Sequence, residues 1–326
     1  MLNSKKLPSK VGTNHHDPYH VTEYSVNELN YNELPYTGYS PASLGADYPT
    51  DDQGVIVFIR EGNEYYHPVH IAQKILHFLD SYIQKNNPEY LDKAELFAQK
   101  LIEISFKFRE AIYFPYNFDF PLHRIEEEKM IAPWYSGMAQ GQALSAFVRL
   151  YKLIGENEYL EISEQIFRSF THLRGESEPW VVYVDTMGYL WIEEYPMEVP
   201  THALNGFIFG IYGLYDYYIV EKDKLSKILL QASITTVKQY IAEFRNKGDI
   251  SFYCLKHAMK NPKYHMIHIH QLTMLYKITG DEYFQTMADN FYSDYHYGTL
   301  ADFALRGANK LKRIITSPFG LLLRHL

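Results

Sequence analysis

One cysteine, Cys254, in 326 residues leaves nothing for an internal disulfide to form with, which removes cross-linking as a source of stability and fits a reducing compartment. No apolar run is long enough to span a bilayer, and the opening MLNSKKLPSKVGTNHHDPYH lacks the apolar stretch of a secretory signal. A cytoplasmic location is expected. Positive charge is also short: 31 Lys and Arg stand against 39 Asp and Glu, a formal charge of −8, so no broad basic field is available to hold nucleic acid. An anionic ligand would need a local basic pocket. Tryptophan is scarce at three while tyrosine reaches 30, and a ring with a polar tip serves amphipathic cores and sugar surfaces alike. The hydrophobic share of 46% is enough for one large packed body.

Residues 1 to about 53 are polar and broken by Pro8, Pro18, Pro35, Pro41 and Pro49, with Tyr19, Tyr24, Tyr31, Tyr36, Tyr39 and Tyr48 among them. Proline at this density argues against a helix, and the tyrosines predict an arm packed on the main body. GVIVFIREGNEYYHP then reads as a hairpin: a strand from Val55 to Arg60, a turn at Glu61-Gly62-Asn63 and a second strand ending at Pro68. From Val69 the apolar period becomes helical, through Ile71, Ile75 and Leu79 and, after Asn86-Asn87-Pro88, through Leu91, Ala94, Ala98 and Leu101. Residues 109–133 are aromatic and proline-rich, a loop or short strands of the sort that line sites. LYKLIGENEYLEISEQIF is echoed by LYKITGDEYFQTMADNF, each a helix end, a glycine cap, an acidic N-cap region and a second helix. Second helices near Tyr90, Tyr159, Leu225 and Tyr283 give a repeat of roughly 60 to 70 residues. The expected fold is all-α dominated: an incomplete α/α toroid of about four helical hairpins, with an open solenoid as the alternative. The divisions are an arm and β-hairpin over 1–67, the toroid over 68–300 and a basic tail over 301–326.

Three connections carry unusual residues. WIEEYPMEVPTHALNGFIFGIYGLYD sets Glu193, Glu194 and Tyr195 before a proline, on a loop or strand end, and follows them with a helix apolar nearly all round. Carboxylates against such a helix are costly unless used or paired. WYSGMAQGQALSAFVRLYKL opens a helix whose Gly137, Gly141 and alanines let neighbouring backbone approach, while Gln140 and Gln142 are more polar than a core helix needs. FYCLKHAMKNPKYHMIHIHQL crowds Tyr253, Lys256, His257, Tyr264, His265, His268 and His270 around a loop broken by Pro262.

WYSGMAQGQ, EEYP followed by LNGFIFGIYGLYD, and YHMIHIHQL, with EYYHPVHIAQ upstream, resemble the blocks of the C-terminal domain of the D-glucuronyl C5-epimerase family, in family order from about residue 64 to 290. The resemblance implies a helical α/α toroid that turns glucuronate into iduronate within heparosan-type chains. By matching positions it puts the catalytic glutamate-tyrosine pair on Glu194 and Tyr195, a later catalytic tyrosine on Tyr264, and a further active-site tyrosine on Tyr253. Lys256 stands where the family has an arginine, which replaces a forked grip on a carboxylate by a point charge, and His270 stands for its asparagine. The β-domain that animal members insert before the WYS block has no room here, so its calcium site is expected to be absent.

Epimerisation beside a carboxylate removes a weakly acidic proton from one face and returns one to the other, so two acid/base groups must flank the ring. Burial would raise a glutamate toward neutrality, whereas a tyrosine is a usable acid and becomes a base only if cations stabilise its phenolate. The charge that builds on the substrate carboxylate needs a cation. Lys256, His257 and Arg124 are the candidates, with the basic tail (Arg306, Lys310, Lys312, Arg313) adding to a locally basic cleft. Gln140, Glu193, His265 and His268 complete the expected substrate-binding set. HxxHxH puts His265, His268 and His270 on more than one side of a helix with no acidic or cysteine partner nearby in sequence, so they are read as orienting groups, with no metal or cofactor. The expected partner is an anionic polysaccharide; pairing with a second copy as a homodimer stays open. Two other functions fit the same residues: a uronate lyase, which shares the first proton abstraction, and a non-catalytic glycan-binding toroid.

Overall fold

The computed structural model describes residues 19–45 and 48–298, so the basic tail, Pro8 and Pro18 lie outside the described residues. Among the described residues eight α-helices form four consecutive hairpins: α1 (Pro68–Lys85) with α2 (Pro88–Ile104), α3 (Gly137–Ile154) with α4 (Asn157–Arg168), α5 (Leu204–Glu221) with α6 (Lys224–Phe244), and α7 (Pro262–Thr279) with α8 (Glu282–Asp294). Each hairpin turns in the same way. The first helix ends on a left-handed residue, Asn86, Gly155, Lys222 or Gly280, whose N–H closes the last turn, and the second starts within three residues. Side chains of Asn87, Asp223 and Asp281 cap α2, α6 and α8 by accepting backbone N–H groups that no helical carbonyl reaches.

The first helix of each hairpin lies inside and the second outside. Helices α1, α3, α5 and α7 pack in that order, and their outer partners cover them. Helix α5 is buried along most of its length, as its all-round apolar sequence requires. Helices α1 and α7 are the two ends of this arc, and both contribute side chains to the lining of one cleft. The body is therefore an incomplete α/α toroid, and among the described residues no helix is long and apolar enough to cross a membrane.

Four two-stranded antiparallel ribbons decorate it: β1 (Phe58–Arg60) with β2 (Asn63–Tyr65), β3 (Phe106–Phe108) with β4 (Ala111–Tyr113), β5 (Phe120–Pro121) with β6 (Lys129–Met130), and β7 (Val182–Val184) with β8 (Leu190–Ile192). The first hairpin has Phe58 opposite Tyr65, and its first strand begins three residues later than Val55. Val55 and Ile56 are buried instead in the core. The ribbons over 106–130 fill the aromatic stretch between the first two helical hairpins.

The described part of the arm packs on the body. It runs along the body at the helices' far ends: Asn27 N donates to Ile278 O of α7, Tyr215 of α5 bonds Asn27 and Leu29, Arg149 of α3 donates to Pro35 O, and Asp80 and Ser81 of α1 accept from Tyr39 N and Ala42 N. A buried ion pair between Arg149 and Asp216, at 3.0 Å, sits beneath it.

Candidate active site

The N-terminal turns of α1, α3, α5 and α7 converge on a cleft of about 230 Å³. His67, His70 and Gln73 come from the start of α1, Ser136 and Met138 from α3, Asn205 and Phe209 from α5, Lys263 and Tyr264 from α7, with Phe58, Tyr116, Phe118, Phe120 and Trp134 as an aromatic wall. Glu194 and Tyr195 enter it from the loop that leaves β8.

Strand β8 is wholly buried and points that loop inward. Glu194 is 8% exposed and lies against Gly206 of α5, where any Cβ would overlap its carboxyl group. Glycine is thus required at 206 for the acid to sit on the helix at all. Burial raises the Glu194 pKa to about 7, opposed by hydrogen bonds with the Tyr195 and Tyr253 hydroxyls and reinforced by Glu193. The Tyr253 hydroxyl donates to Glu194 Oε2 at 2.9 Å and lies 3.3 Å from the Tyr195 hydroxyl. Tyr195 stacks on Phe120 at 5.8 Å, and burial, then Glu194, pushes its phenol far up. Tyr264 packs on Tyr253 with ring centroids 4.5 Å apart, and burial followed by the Glu194 charge raises it to about 12. The Tyr195 and Tyr264 phenols are therefore protonated near neutral pH, while the Glu194 carboxyl group is near its midpoint.

The cation in the cleft is Lys263, one residue before Tyr264, with its Nζ 5.6 Å from the Tyr264 ring centroid. Burial lowers its pKa to about 8. Across the cleft His67 and His70 stack at 3.7 Å; burial pushes both imidazoles down, His70 to about 4 with help from the Lys263 charge. They are neutral hydrogen-bonding groups. Lys263 is not among the residues expected from the sequence; its place in the first turn after Asn261-Pro262, beside Tyr264, is the signal that points to it.

Glu194, Tyr195 and Tyr264 are brought together in the cleft, and several other expected residues are not. Tyr253 stands behind the wall, 5% exposed, and positions Glu194 instead of facing a ligand. Lys256 and His257 are held by Glu128, at 2.9 and 2.7 Å, and Arg124 is exposed in the adjoining loop; none of the three lines the cleft. Glu193 does not line the cleft and is fully buried, accepting from Thr201 and His202. Gln140 staples α3 to its surroundings, accepting from Phe114 N and donating to Ile112 O and Ser169 Oγ. His265 bonds Ser251 on one side and the carbonyls of Phe291 and Tyr295 on the other, and His268 bonds Ser251 Oγ. These histidines join α7 to the end of α8 and to the loop after α6, away from the cleft.

An open groove of about 450 Å³ adjoins the cleft across Trp134, lined by Lys129, Ile131, Tyr135, Trp180 and Met197 among others.

Residues 109–293 match the family described as D-glucuronyl C5-epimerase C-terminus. A D-glucuronyl C5-epimerase of Caenorhabditis elegans is 29% identical over 203 residues, which are 56% of this chain and 32% of that protein. An uncharacterized protein of Methanocaldococcus jannaschii is 26% identical over 173 residues, 52% of this chain and 54% of its own. The chain thus spans about a third and about half of the length of these two relatives. Cellobiose 2-epimerase from Bacillus thermoamylovorans superposes with a TM-score of 0.51 at 13% identity, over 72% of this chain and 61% of that one, a likeness of fold.

Proposed function

The chain belongs to the D-glucuronyl C5-epimerase C-terminal family, and from that membership and the cleft we propose that it is an isomerase: a uronate epimerase converting D-glucuronate to L-iduronate in a heparosan-like polysaccharide. The observation that carries the reading is the juxtaposition in one cleft of a buried carboxyl group raised to about 7, two protonated phenols and a lysine. An ionised Glu194 takes the proton from ring carbon 5, and the electron pair moves into the substrate carboxylate. Lys263 meets the charge that builds there. Tyr264 gives a proton to carbon 5 from the opposite face, completing inversion with no bond to the neighbouring sugar broken. The pair is then left as neutral Glu194 and Tyr264 phenolate, a state that runs the reaction backwards, with Lys263 beside the phenolate. Exchange with solvent resets it. The groove across Trp134 offers a path for the rest of an extended glycan.

Incubating the enzyme with heparosan in deuterated water tests the reading. Deuterium should enter carbon 5 of both epimers while chain length is unchanged. An unsaturated sugar absorbing in the ultraviolet would show elimination in its place, and tight binding without exchange would reduce the cleft to a glycan-binding site.

A further inference from the structure

Beside Tyr253, three metal-ligating atoms point at one spot. His123 Nε2 and His257 Nδ1 each lie 3.4 Å from Cys254 Sγ, and all three atoms fall within 4.8 Å of one another. An ion held tetrahedrally with bonds of about 2.3 Å to sulfur and about 2.0–2.1 Å to nitrogen keeps such donors about 3.5 Å apart, so the sulfur already stands at coordination distance from both imidazoles. The far nitrogen of His257 is 2.7 Å from Glu128 Oε2, the carboxylate-histidine pairing that fixes the tautomer and ring direction of a metal-bound imidazole. Lys256 holds the other oxygen of Glu128 at 2.9 Å. His123 reaches the spot from a strained turn: it and Arg124 are consecutive non-glycine residues with φ of 53° and 67°, a conformation that persists only where surrounding structure holds it.

We infer that His123, Cys254 and His257 bind a zinc-class divalent transition metal, with Glu128 orienting His257. A thiolate with two imidazoles is a donor set that suits zinc over calcium or magnesium. The ion ties the loop around residues 122–128 to the loop after α6. His123 lies edge-on to Tyr253 at 5.6 Å, and the Tyr253 hydroxyl holds Glu194, so the ion is a positioning element for the cleft. His123 stands 131 residues before Cys254, so local sequence shows only the Cys254 and His257 pair.

The full chain, stripped with a chelator, is titrated with Co²⁺ and then with Zn²⁺. The expected result is one Co²⁺ per chain with a thiolate-to-cobalt charge-transfer band and tetrahedral d–d bands, release of a proton as the thiol ionises, and loss of the bands as Zn²⁺ displaces Co²⁺. Cys254→Ser should abolish the charge-transfer band, His257→Gln should weaken binding at least ten-fold, and Glu128→Gln should weaken it about 10–100-fold. Zinc should raise the melting temperature of the wild type and not that of Cys254→Ser, with circular dichroism checking that each variant is folded. Absence of the bands in folded wild-type protein overturns the inference, as does metal binding that Cys254→Ser and His257→Gln both leave intact. These readouts are independent of whether the chain epimerises uronates.

Discussion

Glu194 and Lys263 set opposite limbs of one pH profile. The acid must be ionised to take a proton and the lysine protonated to meet charge, so with values of about 7 and about 8 the kcat/KM of the free enzyme should peak narrowly between them. Lys263→Arg should carry the alkaline limb upward, and a profile flat from pH 6 to 9 would remove both groups from the reaction. Glu194 also weighs on stability. Its folded value lies above the ordinary glutamate value of about 4.3, so the folded chain holds more protons than the unfolded one between the two, and stability falls as pH rises through that window. Glu194→Gln should therefore unfold at the same temperature as wild type near pH 4 and be more stable, by on the order of 3 kcal/mol, at pH 8, while losing most activity. Tyr264→Phe keeps the ring on Tyr253 and should cut turnover by about 10²–10⁴-fold, with unchanged melting; full activity in both variants would defeat the assignment. Glu194, Tyr195 and Tyr264 reach the cleft from blocks that lie intact in the sequence. Lys256, Glu193 and Gln140 were misplaced for a common reason: local sequence names polar groups near a site but not the direction each side chain takes, and Glu128, Thr201 and Phe114 claim them first.

Among the elements, the crossing of α3 and α5 is the tightest constraint. A Cβ on Gly213 would overlap the backbone of Gly141, and one on Gly141 would overlap the backbone of Gly210, so the two helices meet with no side chain between them. Alanine is the better helix former by about 1 kcal/mol, yet Gly213→Ala should destabilise by about 1–3 kcal/mol or more, because rigid backbone and not a flexible side chain is in the way. A fall in the urea midpoint with unchanged slope would register it; a gain in stability would mean that the helices can separate freely. The four hairpins were readable in the sequence because each carries its own punctuation, such as Asn86-Asn87-Pro88 and Gly280-Asp281. The short ribbons were less so. Pieces of two or three residues carry too little alternation to be read, and the start of β1 at Phe58 depends on Val55 and Ile56 being taken by the core.

Across the whole molecule, the arm touches all four hairpins. Its Tyr36 is buried against Phe209, ring centroids 5.7 Å apart, and Phe209 in turn lines the cleft, so the arm backs the floor of the site. A chain lacking residues 1–45 should melt at lower temperature, lose activity more than affinity for the body alone would suggest, and be cut by protease within α3 and α5 under conditions where the full chain resists; equal resistance would show the arm to be dispensable. The arm's contacts also impose an order of assembly. During synthesis its residues leave the ribosome before the helices of the four hairpins, but Asn27 takes partners at Lys277 and Ile278, so the seat is finished only when the last hairpin has emerged. Helical pairs can form one after another as they appear, each from neighbouring sequence, whereas the arm's closure waits for all of them. A nascent chain truncated before α7 therefore lacks the seat for Asn27 on the last hairpin, while the arm's contacts with α1, α3 and α5 already have their partners.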